Sequence, residues 1–349
     1  MERYRDINEG LAYVLLGVFL VFILPSMVDP YELNMFSKYL SLAFVAIGIV
    51  LMWGYGGILS LGQGVFFGIG GYLMAMFLKM ESSAPELPEF MVWSSLSELP
   101  IWWLPFRSFT ITLIGIFVIP AVLAFAFSYA IFRKRVSGVY LAIVTLALSL
   151  ALSVWIIGRQ GETGGSNGIT DFTTLLGMDI VEDEAKEILY FIQLAFLLCA
   201  MLIASFIVRT RLGKILIAVR DHEDRVRFSG YNTALAKAFI FTVAAVFASV
   251  GGAMYTLQVG LIAPSVVGVM SSVEMVIYAA VGGRLSVPGA VVGALLIGFF
   301  RSYLSENFPE SWLFFLGAVF IFVVMVMPKG LAGLAEQIMA RRSFRGAMQ

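Results

Sequence analysis

The chain has 349 residues, 60% of them hydrophobic and only 13% charged, with a formal net charge of zero. Soluble domains carry about 25% charged residues, so a mean hydropathy of +0.92 excludes a water-soluble fold and makes lipid the solvent. The balanced charge points to no nucleic-acid partner, and the single cysteine, Cys199, excludes an internal disulfide and reads as a small buried hydrophobe.

A helix needs about 20 apolar residues to cross the hydrocarbon core. The first run, 11–28, is long for a signal-peptide core and has no small-residue cleavage site, so it reads as a retained span. Runs 39–53 (extended by glycines), 109–132, 137–157, 188–208 and 238–262 have crossing length. The run 312–327 is slightly short and stops at Pro328. Three pieces, 65–78, 272–281 and 290–300, are too short to cross alone. Counted as crossings, they bring the expectation to about ten transmembrane helices in a single all-α membrane domain, 1–349.

Lysine and arginine favour the cytoplasmic side of such proteins. Segments 1–10, 133–135, 209–237 and 328–349 hold 16 of the 23 basic residues. The opposite loops, 79–108 and 158–187, carry Glu81, Glu86, Glu89, Glu182, Asp183 and Glu184. Both termini are therefore expected in the cytoplasm, as an even number of crossings requires.

Two glycine-rich breaks interrupt the apolar runs. Eight of the eighteen residues from Gly54 to Gly71 are glycine, and 282–289 reads GGRLSVPG. Gly56-Gly57-Ile58-Leu59-Ser60 matches Gly282-Gly283-Arg284-Leu285-Ser286 at four of five positions. Interrupted segments at corresponding places in two halves point to discontinuous helices around a translocation path. Close helix packing by small residues is the plainer reading, and Gly64/Gly68 and Gly289/Gly293 have its spacing. Gly56, Gly57, Ser60, Gly282, Gly283 and Ser286 are thus candidate path residues.

Gln63, which can both donate and accept, joins them, as does Glu274, an ionisable group inside an apolar run. Glu274 could instead lie at the membrane surface or pair structurally, for example with Arg284. The outer stretch TGGSNGITDF (163–172) has turn chemistry. Thr163, Gly164, Gly165, Ser166 and Asn167 form either a plain turn or a docking surface.

The loop 209–237 mixes basic, acidic and apolar residues between Gly213 and Gly230. A short amphipathic helix pair lying on the membrane face or meeting a partner protein is expected there. No G-x-x-x-x-G-K-[ST] phosphate loop occurs, so any ATPase must be another subunit. His222 is the only histidine, which removes a His-based triad and a multi-His metal site. No catalytic residue and no metal ligand is expected, and the chain does not read as an enzyme.

Four stretches carry a family resemblance: 53–76, 163–172, 213–232 and 274–296. The chain resembles the LivM-type permeases of branched-chain amino-acid ABC importers across nearly its whole length, and the stretch 308–334 is most similar to their urea-transporting (UrtC-type) branch. The resemblance implies a ten-helix-type subunit of the bacterial inner membrane that imports urea or a related short amide. It also implies a homologous second permease, two ABC ATPases that use ATP and Mg, and a periplasmic or extracellular binding protein. No cofactor is expected in this chain itself. Ala218, Val219, Arg220, Asp221 and Glu223, followed by Gly230, would form the ATPase-coupling motif, and 163–167 would lie near the docked binding protein. Gln63 departs from the urea branch, where a histidine is expected. Branched-chain amino acids are the alternative cargo, and a passive channel or secondary transporter is the alternative class.

Overall fold

The computed structural model describes residues 2–327 and 329–334. Pro328 and the basic segment 335–349 lie outside the described residues.

Helix α1 (Glu2–Val18) continues through a wide π-turn, Phe19–Ile23, to Met27. It lies at the periphery with most of its apolar surface outward. Helix α2 (Pro30–Ile49) also passes into a π-helical segment, Val50–Tyr55. It is followed by α3 (Gln63–Ser83), α4 (Phe109–Arg133), α5 (Val139–Gly158) and α6 (Asp183–Arg209). Then come α7 (Arg211–Phe228), α8 (Thr233–Val259), α9 (Val269–Gly282), α10 (Val287–Asn307) and α11 (Trp312–Val326). Among the described residues eight helices have the length and apolarity to span a membrane, and α9 and α11 are shorter apolar helices. The only strands among the described residues are the two-residue pair Thr174–Leu175 and Met178–Asp179.

The expected all-α membrane fold is thus observed, with a correction to helix lengths. The pieces 65–78 and 290–300 are the centres of 21-residue helices; only the third piece, within α9, stays short. The difference arises because glycines and polar residues at the ends of α3 and α10 dilute hydropathy without stopping the helix. Helix capping explains the boundaries. Ser286 accepts from the Gly289 amide at 3.1 Å, and Pro288 sits in the first turn of α10. Pro288 therefore starts a helix here.

The centre is α2, α3 and α8, with α4 packed on α8 and the α9–α10 hairpin packed on α2. Small residues let these backbones approach. Gly48 faces Ala244, Gly252 faces the Phe67 carbonyl, and Gly293 faces the Tyr278 carbonyl. Cys199 is a further correction: it lies exposed on α6, on the outside of the bundle.

Candidate translocation path and coupling surface

The two glycine breaks lie at the same end of the bundle and touch. The space where a Gly54 side chain would stand is filled by the Arg284 carbonyl. The Tyr55 hydroxyl donates to the Leu285 carbonyl at 2.7 Å. Much of the first break's backbone is paired locally, with the Gly56 amide on the Leu51 carbonyl and the Ile58 amide on the Met52 carbonyl. π-Helical turns of the kind at Val50–Tyr55 concentrate at functional sites.

Helix α7 lies against this junction. It is helical on both sides of a kink at His222 (φ −151°, ψ 75°), so the expected helix pair is present. Leu216 and Val219 face inward, whereas Ala218, Asp221, Asp224 and Arg225 are exposed. Phe228 is 93% exposed and Tyr231 stands beside it on the open surface, an apolar feature suited to a protein partner. The Arg220 guanidinium donates to the Gly54 carbonyl at 2.6 Å and to Asp221 at 2.9 Å. Its aliphatic stem packs on Gly57, whose φ of +66° favours glycine. One side chain of α7 thus holds the break that in turn touches the second break.

Glu223 fastens the other half of α7. It accepts from Arg227 at 3.1 Å, from Thr233 at 3.1 Å and from Lys237 at 2.5 Å. Burial pushes its carboxyl up, but Lys237, Thr233 and Arg227 outweigh that and hold it below the usual glutamate range. The hydrogen bond from Arg220 likewise holds Asp221 below its ordinary value. Gly230 is exposed, with φ +87°, at the turn into α8.

The remaining path candidates are mostly packed rather than open. Ser60 and Gln63 are buried. Ser60 accepts from the Gly62 amide at 3.3 Å, and Gln63 donates to Met52 sulfur at 3.6 Å while its Oε1 has no partner. Gly282 crosses Gly289 at backbone contact, and Gly283, with φ +125°, faces Lys329 and Ala332. Close packing therefore accounts for Gly282. Glu274 is buried and pairs with Arg301 of α10 at 2.8 Å, not with Arg284, which is exposed. Sequence reasoning missed Arg301, although an arginine in the run GFFRSYL is the same kind of signal as Glu274.

Helix α5 also contributes what the sequence reading missed. Thr145, Ser149 and Ser153 recur every four residues on one face. The Thr145 hydroxyl accepts from the Leu61 amide at 3.0 Å. Ser149 donates to the Val267 carbonyl at 2.6 Å and shares a 2.8 Å hydrogen bond with Ser272. Ser153 donates to the Pro264 carbonyl at 3.3 Å. These hydroxyls meet the Leu61 amide in the first break and carbonyls of the short helical turn Pro264–Val267, as interrupted backbone at membrane depth requires.

At the end away from α7, the 163–172 loop is only partly available for docking. Thr163 is buried and donates to the Ile156 and Arg159 carbonyls, and Gly164 and Gly165 are buried with positive φ. Ser166 and Asn167 are exposed at the tip. Beyond them Ile169 and Ile262 exchange backbone hydrogen bonds of 2.9 and 3.1 Å, tying the loop to the segment before α9. Among the described residues no cluster of potential metal ligands occurs.

A helical membrane bundle with paired interrupted segments and a charged helix clasping one of them is the construction of a solute permease. The family described as "Branched-chain amino acid transport system / permease component" matches residues 32–324, and the chain belongs to it. The LivM permease of the high-affinity branched-chain amino acid transport system of Salmonella typhimurium is 22% identical, over 88% of this chain and 71% of the relative. LivM of Escherichia coli is 23% identical over 82% of this chain and 66% of the relative. LivH of Escherichia coli is 25% identical over 84% and 92%. No solved structure matches.

Proposed function

We propose that this chain is the membrane-spanning permease subunit of an ABC importer in the bacterial inner membrane. It would move a small polar solute, a branched-chain amino acid or urea or a related short amide, by alternating access, driven by ATP hydrolysis in partner subunits. The observation that carries this reading is the Arg220–Gly54 hydrogen bond, which ties the exposed, kinked α7 to the junction of the two breaks. An ATPase pressing on Ala218, Asp221 and Phe228 would move Arg220, and through it both interrupted segments. The α7 end would face the cytoplasm with both termini, in keeping with the basic residues of 209–237. Ser166 and Asn167 would meet the binding protein on the other side, and a homologous second permease would complete the path.

Relatives named for branched-chain amino acids favour that cargo. Urea or a short amide is the second reading, favoured by the stretch 308–334. Proteoliposomes carrying the assembled complex are expected to accumulate solute only when ATP is supplied. Solute flux through this chain without any ATPase subunit would refute the reading and favour a passive channel.

A further inference from the structure

A second polar site lies between α2, α9 and α10, toward the end of the bundle away from α7. It is a cavity of about 290 Å³ lined by Lys38, Tyr39, Tyr278, Arg301, Ser302 and Ser305, with Glu306 also on its wall. This is the small end of the range of ligand sites, about 300–1,000 Å³. Lys38 stands eight residues inside α2 and Arg301 six residues before the end of α10, which places them about 12 and 9 Å along their helices.

The charges are arranged unequally. Arg301 is committed on one side to the buried Glu274, and Tyr278 hydrogen-bonds to it from α9. That pair and its tyrosine fix the guanidinium in place, while the arginine side chain remains 37% accessible. Tyr39 donates to Ser302, fixing a second part of the wall. Lys38 faces this surface half-buried, with no hydrogen bond or ion pair among the described residues, and the nearby Arg301 repels it. Glu274 is buried away behind Arg301, so the wall presents Lys38 and Arg301 together, and Glu306 supplies the one exposed carboxylate. The exposed carboxylate of Glu306 lies a little over one helical turn beyond Arg301.

A lysine in a membrane span can extend along apolar surface to the headgroups. That device needs neither a second cation beside it nor a lining of hydroxyls. Ionisable groups inside spans face bundle interiors or water-filled paths and mark the routes of solutes. We propose that this cavity is a cargo-binding station that recognises a small zwitterion. Its carboxylate would lie between Lys38 and Arg301, and its ammonium would turn toward Glu306. Urea, which is neutral, has no use for this charge set. The inference rests on the reading of the chain as an importer subunit and selects the cargo class within it.

The test uses the complete importer in proteoliposomes, with L-leucine and urea as probes. Lys38→Gln is expected to raise the KM for L-leucine about tenfold, the loss of one charge-assisted hydrogen bond, and Lys38→Arg is expected to restore it. The binding protein is a separate chain, so its affinity is not altered by either variant. A second readout needs no transport. With Cys199 replaced by serine, Ser305→Cys is expected to react with a membrane-impermeant thiol reagent, and L-leucine is expected to slow the reaction. Adding Lys38→Gln should remove that protection by L-leucine. Unchanged L-leucine kinetics in Lys38→Gln, or an unreactive Ser305→Cys, overturns the site. Wild-type uptake of urea but not L-leucine overturns the zwitterion while leaving the importer reading intact. ATP-independent flux, or no uptake of either solute, removes the importer reading itself.

Discussion

Replacing Arg220 by methionine isolates the link between α7 and the glycine breaks. Methionine keeps an unbranched stem to pack on Gly57 and removes the hydrogen bond to the Gly54 carbonyl at 2.6 Å. A hydrogen bond to a charged group contributes about 1.5–3 kcal/mol. The Arg220 side chain is 31% exposed and shared with Asp221, so solvent screening reduces the estimate to about 1 kcal/mol. That corresponds to roughly a fivefold shift between a state in which α7 and the break move together and one in which they do not. The assay is solute imported per ATP hydrolysed by the reconstituted complex. Arg220→Met is expected to lower this ratio about fivefold while ATP hydrolysis and membrane insertion persist. Arg220→Glu, which repels Asp221 as well, is expected to lower it further. A wild-type ratio in Arg220→Met would remove this contact from the transmission of force.

Three further outcomes follow from the geometry. Gly57→Val must place a branched side chain at φ +66° and against the Arg220 stem, and Gly283→Val must do so at φ +125° beside Ala332; each is expected to cut uptake at least severalfold, and full uptake in both would reduce these glycines to spacers. Glu274→Gln takes the carboxylate from Arg301, whose side chain is 37% accessible, so solvent screening holds the cost to about 1–2 kcal/mol. A drop in the thermal midpoint in detergent that is partly recovered in Glu274→Gln/Arg301→Leu would confirm the pairing, and an unchanged midpoint in Glu274→Gln would refute it. Because the folded-state pKa of Glu223 is depressed, its stabilisation is present above the unfolded value and is lost as pH falls through the folded one. Wild-type protein is thus expected to lose thermal stability below pH 4.5, the ordinary value for this carboxyl, with a shallower loss in Glu223→Gln; identical pH curves would show that the clasp contributes nothing.

Much of this architecture was legible in the chain, and the exceptions share a cause. The pairing of the breaks could be read because both repeat a glycine pattern between apolar runs, and the structure brings them together at Gly54 and Arg284. Helix α7 could be read because charge and glycine bracket it. What could not be read is which element each buried polar group meets. Arg284 is the nearer arginine in sequence, yet Glu274 reaches Arg301, because the α9–α10 hairpin folds the far end of α10 back beside it. Thr145, Ser149 and Ser153 look like ordinary small residues of an apolar helix until the facing backbone is known to lack partners. Ser60 and Gln63 have path-like chemistry but sit in packed surroundings, since hydroxyl and amide groups also serve where a helix starts in apolar company.

The row of hydroxyls on α5 has a mechanical corollary. Thr145 and Ser153 are eight residues apart, about 12 Å along one rigid rod, and they hold two different segments, the break at Leu61 and the helical turn that opens at Pro264. A tilt of that rod would be registered at Leu61 and at Pro264 together, without any relay of side chains between them. Hydroxyls suit such a post, because a rotating O–H can let go of one carbonyl and take up the next along the chain.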